Sequence, residues 1–278
     1  CREVVSHLNW KKKGLCPIKE SKSPEYDQED LLGLISEDLK SPVDIREIIS
    51  RITDGSQFEE FKPLYGQTMI CGWACIHGYQ IGVLGNNGPI YPECAEKAAT
   101  FIQLCNKRDI PLIFLQNVTG FLVGKDFERQ AIIKKGSQMI NAVSNSTVPH
   151  ITIIVGASYG AGTYAMSGRA YNNRFTFLWP TAKIAVMGPE QIAGVMSIVR
   201  KAKAMRTGEK FDEKEDAEIV KMVEDAAERM SHALVASSML TDDGIIDPRD
   251  TRKIIAFCLS ICNNIPIEGA KEYGVFRL

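Results

Sequence analysis

The sequence predicts an α/β fold in which helices cover a buried, mostly parallel sheet. From residue 91 onward, segments with helical character alternate with short, continuously apolar segments such as PLIFLQN (111–117) and HITIIVG (150–156). This alternation is typical of parallel strands that are buried on both faces. In addition, 45% of the 278 residues are hydrophobic, and no apolar run reaches 18 residues. The chain can therefore bury a large core, and we expect no membrane-spanning segment.

The chain begins with a polar segment and a predicted helix. Residues 1–43 contain a lysine run (11–13), three prolines and one short apolar helix near residues 30–36, so we expect a linker there rather than core. The next segment, SPVDIREIISRITDGS (41–56), predicts a helix. Ser41 and Asp44 are available as its N-cap, and Asp54-Gly55 is its stop.

Strands come next, followed by alternating helices and strands. Three strands are predicted, with a turn at His77-Gly78 between the last two: FEEFKPLYG (58–66), TMICGWACIHG (68–78) and YQIGVLGN (79–86). The later elements are predicted in this order: helix 91–108, strand 111–117, helix 126–146, strand 150–156, a short helix from about 160, strands 174–180 and 183–188, and a helix from Pro189. Residues 200–240 are highly charged and predicted helical, and a turn, a short strand and a helix close the chain over 242–264.

Composition excludes several classes of function. The formal net charge is −1, so neither nucleic acid nor an acidic membrane surface is an expected partner. The four histidines are scattered and predicted to be structural or solvated, which argues against a nucleophile–base pair: residues 7, 77, 150 and 232. The eight cysteines form no paired C-x-x-C set, so we expect free thiols and no metal. Cys258 and Cys262 are most simply buried hydrophobes, with a metal site or disulfide as the alternative.

The segment VGASYGAGTYAMSGRAY (155–171) holds four glycines and lacks His, Asp and Glu. It follows a predicted strand and leads through Gly160 into a helix from Ala161. The first N–H groups of a helix have no internal partner and lie at the positive end of its dipole. The segment therefore predicts that the backbone N–H groups of Ala161 and Gly162 hold an oxygen that gains negative charge. A tight strand-to-helix packing turn is the alternative interpretation.

A second glycine-containing loop supports the first interpretation. QNVTGFLVG (116–124) follows the preceding parallel strand. Because the carboxyl ends of parallel strands meet at one edge of a sheet, both loops are expected to open there, where α/β sheets bind their ligands.

Five segments resemble one known family, the carboxyltransferase subunits of biotin-dependent acyl-CoA carboxylases. The similarity is closest to the C-terminal half of methylcrotonyl-CoA carboxylase β subunits. It covers the chain from about residue 45 and rests on LGNNG (84–88), FIQLCNKRDIPLIFLQNVTGFLVG (101–124), SYGAGTYAMSGRAY (158–171), WPTAKIAVMG (179–188) and DDGIIDPRDTR (242–252). The resemblance implies a crotonase-like ββα superhelix.

The resemblance also implies roles for individual residues. Ala161 and Gly162 align with the two catalytic backbone donors that hold the ureido oxygen of biotin. Five neighbours would complete the biotin site: Gly160, Thr163, Thr119, Gly120 and Phe121. Four positions would contact the acyl-CoA: Tyr164 in the acyl pocket, with Asn86, Asn87 and Gly88. We expect a valine at position 162 to abolish the biotin half-reaction and leave the fold largely intact, because it would fill the space that the ureido oxygen needs.

The implied chemistry explains why the glycine segment lacks an acid or base. In this family biotin, carried on a partner α subunit, removes the proton from the acyl-CoA itself. Residues 1–43 would be the tail of an absent N-terminal domain and its linker, and residues 44–278 the C-terminal carboxyltransferase domain. A homo-oligomer is expected, in the mitochondrial matrix or, for a bacterial protein, the cytoplasm. A biotin-dependent decarboxylase subunit and a non-catalytic binding or assembly module remain alternatives.

Overall fold

A single seven-stranded sheet organises the chain. The computed structural model describes residues 2, 13–14, 17, 19–36, 41, 43–171, 173–208 and 210–274. The strands are β1 (Glu59–Glu60), β2 (Met69–Ile76), β3 (Tyr79–Asn86), β4 (Leu112–Val118), β5 (His150–Tyr159), β6 (Phe175–Leu178) and β7 (Lys183–Ala185). Strands β1 to β6 lie side by side in chain order, and β7 pairs with the end of β5.

The sheet changes from antiparallel to parallel at β3. The hairpin of β2 and β3 is antiparallel, with Trp73 opposite Gly82, and it turns at His77-Gly78 as the sequence predicts. From β3 onward each pair is parallel, with Leu84 beside Phe114 and Phe114 beside Thr152. The predicted mostly parallel, buried sheet is therefore confirmed.

Helices surround the sheet and extend beyond it. They are α1 (Leu31–Leu34), α2 (Ile45–Ile52), α3 (Pro92–Lys107), α4 (Lys125–Arg129), α5 (Ile132–Ser144), α6 (Gly160–Ala165), α7 (Pro189–Thr207), α8 (Glu213–Ser231), α9 (Ala233–Ser238) and α10 (Thr251–Cys262). Short 3₁₀ turns occur at Gln28–Asp30, Asp54–Ser56, Arg169–Tyr171 and Pro248–Asp250.

Two apolar cores lie on opposite faces of the sheet. On one face, isoleucines of α2 pack with Trp179 and with Ile255 and Leu259 of α10. On the other face, Phe101 of α3 and Met139 of α5 lie in a second buried cluster. Each parallel strand therefore buries apolar side chains on both of its faces, which is why strands β4 and β5 are almost continuously hydrophobic.

Several element boundaries differ from the sequence prediction. The strand predicted over 58–66 is wrong beyond Glu59–Glu60, because the chain turns at Lys62, whose φ is +50°. Asp44, and not Ser41, caps α2 by accepting from the Arg46 N–H. The helix predicted over 126–146 breaks at Ala131, whose φ is +64°. The short strand near the C-terminus is reduced to one bridge between Leu178 and Ile245.

A buried ion pair joins α10 to the turn that follows α2. Arg252 of α10 lies 2.7 Å from Asp54 and also donates to the carbonyl oxygen of Ile52. The Asp54 carboxylate accepts the backbone N–H groups of His77 and Gly78. Arg252 therefore fixes the β2–β3 turn and the end of α2 against the last helix.

Some residues noted in the sequence lie outside the described part of the chain. They are Lys11, Lys12 and Pro42 of the N-terminal segment, the cysteines at 1 and 16, and His7.

Candidate active site

The two glycine loops do meet at one edge of the sheet. Strand β4 ends at Val118, which is paired with Ser158 of β5. The loop 119–124 leaves the first strand and helix α6 leaves the second. Strand β5 runs to Tyr159, three residues beyond the predicted end, so helix α6 begins directly at the strand end. The prediction that both loops share the carboxyl edge is confirmed.

The start of α6 is shaped by Gly160. Its φ of +55° turns the chain from strand into helix, and a Cβ there would lie 2.9 Å from the carbonyl oxygen of Val186. The first N–H groups of α6, including those of Ala161 and Gly162, have no partner inside the helix. Ala161 is exposed and Gly162 is buried. The helix thus presents unsatisfied donors beside an accessible surface, which is the arrangement that an oxyanion requires.

Gly162 lies against the neighbouring loop. A Cβ at this position would be 2.8 Å from Cγ2 of Val118 and 3.2 Å from Cα of Gly120. This differs from the expectation that a larger residue would simply fill a ligand's space, because the first atoms it meets belong to the protein. Glycine at 162 therefore sets the spacing between the two loops.

A network of hydrogen-bonded polar side chains joins strands β4 and β5 to helix α6 next to the two loops. Gln116 donates to the carbonyl oxygen of Met166 at 2.6 Å and accepts from the Ser158 hydroxyl at 2.6 Å. The Ser158 hydroxyl is also 2.9 Å from that of Thr163. Asn117 accepts the Ala157 N–H at 3.1 Å. The side chain of Thr163 is thus engaged inside the protein and acts on the geometry of α6.

The loop after β3 joins the same region through its backbone. Ile90 donates to the carbonyl oxygen of Gly120 and accepts from the Leu122 N–H. Asn87 uses its side chain elsewhere: it accepts the Ile45 N–H at 2.7 Å and donates to Asp44 at 2.8 Å.

Asn86 is fully buried, and its Oδ1 atom has no hydrogen-bond partner within the described residues. Gly88 has φ +154° and faces Thr68. The structure brings this segment to the site edge without turning either asparagine toward it.

A cleft of about 780 Å³ opens where these loops meet. Thr119 to Val123 form one wall, and residues 186–191, which follow β7, form another. Helix α8 contributes Glu224, Asp225 and Glu228. The exposed side chains of Val123, Val186 and Met187 make much of the cleft apolar.

The structure gathers about half of the sequence-predicted residues in this cleft. Thr119, Gly120, Phe121, Gly160 and Ala161 line it. The other predicted residues do not line it: Gly162, Thr163, Tyr164, Asn86, Asn87 and Gly88. Tyr164 is 45% exposed, and its ring meets that of Tyr171 edge-on.

Sequence reasoning missed several polar residues of the cleft, among them Tyr159, Lys183 and Glu228. Lys183 of β7 forms an ion pair with Glu228 of α8. Tyr159 is 8% exposed, and its burial, together with the nearby charge of Glu228, raises its pKa to about 12. Lys183 lies within WPTAKIAVMG, but nothing in that segment indicates a partner 45 residues away.

The sequence also led to expectations about metal ligands, cysteines and membrane-spanning helices. No group of three or more His, Cys, Asp or Glu that could hold a metal is found among them. The six described cysteines are free, including Cys258 and Cys262. Burial raises the pKa of Cys258 to about 12. No described helix is both long and apolar enough to span a bilayer.

Comparisons with known proteins agree on one family. Residues 1–275 match the carboxyl transferase domain family. The probable biotin-dependent acyl-coenzyme A carboxylase beta2 subunit of Mycobacterium tuberculosis is 53% identical over the whole chain, which covers 52% of that protein. The mitochondrial methylcrotonoyl-CoA carboxylase beta chain of Dictyostelium discoideum is 46% identical, with the whole chain covering 47% of it. The chain thus spans about half the length of these relatives.

Solved structures give the same result. The β subunit of geranyl-CoA carboxylase from P. aeruginosa matches 99% of this chain and 52% of its own, at 44% identity with a TM-score of 0.87. The transcarboxylase 12S subunit, described as a hexamer, matches at 28% identity with a TM-score of 0.81, covering 100% of this chain and 53% of that one. These neighbours confirm the predicted crotonase-like α/β fold.

Proposed function

The chain belongs to the carboxyl transferase domain family, and on that basis we propose that it forms the biotin-binding half of an acyl-CoA carboxylase active site. In this proposal the protein moves a carboxyl group from carboxybiotin to an acyl-CoA. The substrate we propose is 3-methylcrotonyl-CoA, which is supported by the names of several relatives at 42–48% identity.

The observation that carries the proposal is the start of α6 at the cleft. Two backbone N–H groups, of Ala161 and Gly162, lie beside a loop whose Gly120 leaves open space: a Cβ there would meet nothing within 4 Å. The residues present therefore fit a flat, uncharged ring with a carbonyl oxygen, such as the ureido group of biotin. When bound, biotin would supply the carboxyl group and the base for the acyl-CoA.

The chain's own residues would position and stabilise the reacting groups. The Ala161 and Gly162 N–H groups would hold the ureido oxygen more strongly as it gains negative charge, since preformed donors need no reorganisation. Gly160 would turn the chain into α6, and Gly162 would set the spacing between α6 and the Gly120 loop. Thr119, Gly120 and Phe121 would form the facing wall, and the hydroxyl of Thr163 would fix α6 through Ser158.

We assign the acyl-CoA contacts to residues next to the cleft. Tyr164, 45% exposed beside Tyr171, is proposed to line the acyl pocket. Asn86, Asn87 and Gly88 would act by shaping the segment that Ile90 ties to the Gly120 loop. Asn87 would do so through its hydrogen bonds to α2.

Partners follow from the same proposal. Residues 1–43 would form the linker and tail of another domain, and 44–278 the carboxyltransferase domain, with biotin arriving on a partner α subunit. A homo-oligomer is supported by exposed apolar side chains along α7, which a monomer rarely leaves uncovered: Val195, Met196, Ile198, Val199 and Met205. We place the protein in the mitochondrial matrix, as several relatives' names state for those proteins, or in the cytoplasm of a bacterium.

The test is carboxyl transfer in reverse. Carboxylated 3-methylcrotonyl-CoA and free biotin are incubated with this chain joined to the N-terminal half of a relative, and in parallel with this chain alone. Transfer by the joined protein only is the expected result, because in this proposal the chain supplies part of the acyl-CoA site and the N-terminal half supplies the rest. A folded joined protein that transfers no carboxyl group would contradict the proposal and favour a non-catalytic binding module.

A further inference from the structure

The cleft contains a charge arrangement that the proposed reaction does not use. Helix α8 places three carboxylates along the cleft, from Glu224, Asp225 and Glu228. Of the described residues that line the cleft, Lys183 is the one Lys or Arg. Its ammonium group forms an ion pair with Glu228. One lysine on the sheet therefore contacts an acidic helix beside the cleft.

This ion pair lies where α8 meets the sheet. Lys183 belongs to β7, which pairs with β5 at Ala157, three residues before the turn into α6. The backbone of Lys183 also forms a bridge with His232, just after α8. Among the hydrogen bonds and ion pairs of the described residues, Lys183 to Glu228 is the one side-chain link from α8 to the sheet.

The rest of α8 is bound to α7. Arg200 of α7 pairs with Asp216 at 2.9 Å, and Ser197 hydrogen-bonds the same carboxylate. The two helices form a hairpin whose α7 side carries exposed Val195 and Ile198. Contacts inside the hairpin fix its two helices to each other. At the C-terminal end of α8, the backbone bridge at His232 and the apolar contacts of Ala233 join the chain to the sheet, and the Lys183–Glu228 pair adds a side-chain link from α8 itself.

Electrostatics favour this link. Lys183 is 14% exposed and Glu228 is 39% exposed, so the pair is partly shielded from water and interacts more strongly than a surface pair. Without the ammonium group, Glu228 would face Glu224 and Asp225, four and three residues before it on the same side of the helix. Like charges at these spacings repel. Loss of Lys183 would therefore loosen α8 at the cleft.

We propose that the Lys183–Glu228 ion pair holds helix α8 against the sheet and so sets the width of the cleft that receives biotin. Both are positioning residues: they fix the wall opposite Thr119–Val123 and do not touch the reacting atoms. The expected change in KM for biotin rests on the proposed function, whereas the expected change in hydrogen exchange of α8 does not.

The experiment uses the full-length protein and four variants. Lys183→Met and Glu228→Gln each remove one charge, and the double variant Lys183→Glu/Glu228→Lys exchanges the two. Glu218→Gln is the matched control, because Glu218 is an exposed carboxylate on the same helix away from the cleft. Steady-state kinetics with free biotin and hydrogen exchange of residues 213–231 are measured for each.

We expect each single variant to raise KM for free biotin about fivefold to tenfold, within the range of coupling between contacting charges, while kcat changes much less. Exchange in α8 should become faster in both. The charge-exchanged double variant should restore KM and exchange toward the wild-type values, and Glu218→Gln should change neither.

Two results would overturn the inference. Either the single variants keep the wild-type KM and exchange rates, or the double variant restores neither. If the wild-type protein transfers no carboxyl group, the proposed function fails, but hydrogen exchange in α8 still decides whether the ion pair holds the helix.

Discussion

Replacing Gly162 with alanine perturbs the spacing between the two loops by one methyl group. The new Cβ would lie 2.8 Å from Val118 Cγ2, which can move, and 3.2 Å from Gly120 Cα, which is backbone. Overpacking of this kind costs about 1–3 kcal/mol, and alanine regains about 1 kcal/mol over glycine in a helix. We expect a net loss of roughly 0–2 kcal/mol in the free energy of unfolding.

Activity should be affected far more than stability. A shift of the Ala161 and Gly162 donors by several tenths of an ångström weakens the hold on the oxyanion, and we expect roughly a 100-fold loss in kcat for carboxyl transfer to biotin.

The assay is the reverse reaction with free biotin in the full-length protein, beside urea denaturation. The control is Gly194→Ala in α7, where a Cβ would meet nothing within 4 Å. It should be slightly stabilising and fully active. Wild-type kcat in a folded Gly162→Ala variant would show that the spacing between the loops does not position the donors.

Three further predictions concern the scaffold. Arg252→Met should lower the free energy of unfolding by about 3–5 kcal/mol in urea denaturation, because Asp54 is left as an unpaired buried charge; equal stability would contradict this. Burial lowers the pKa of His150 to about 4. Its contribution to the free energy of unfolding is therefore complete above the unfolded pKa near 6.5 and is lost as pH falls from about 6.5 to 4. In a His150→Gln variant the free energy of unfolding should depend less steeply on pH over this range, and an unchanged slope would exclude His150 as the cause. Among the described thiols, partly exposed Cys75 should react with iodoacetamide before Cys105, whose pKa burial raises to about 12; peptide mapping that finds Cys105 labelled first would show that the core opens readily.

Much of the fold could be predicted because its strands are buried on both faces. Uninterrupted apolar runs such as 111–117 and 150–156 have few alternatives to parallel strands, and their order places the glycine loops at one edge. The break in the helix at Ala131 could not be predicted from the sequence, because no glycine or proline lies at that point. The segment 58–66 has β-like composition, but its short pairing at Glu59–Glu60 depends on the neighbouring strand β2.

The shape of the candidate site was most predictable where backbone conformation defines it. Gly160 and Gly120 both have positive φ, a requirement that glycine reveals in the sequence. Side-chain orientation was not predictable in the same way. Asn87 turns toward α2, and Lys183 meets Glu228 only because the hairpin of α7 and α8 folds back over β7. Contacts between segments that are far apart in the sequence leave no local sequence pattern from which they could be predicted.

The most direct test of the oxyanion site removes one backbone hydrogen-bond donor. Replacing the peptide bond before Gly162 with an ester exchanges its N–H for an oxygen and adds no side-chain atom. It breaks no hydrogen bond donated within α6, because this N–H has no partner inside the helix, and it only weakens the Ala161 carbonyl as an acceptor. If the group holds the ureido oxygen, kcat for carboxyl transfer to free biotin in the full-length protein should fall about 100-fold to 1,000-fold, as for other oxyanion donors. An ester-containing protein with wild-type kcat would contradict the assignment of this site.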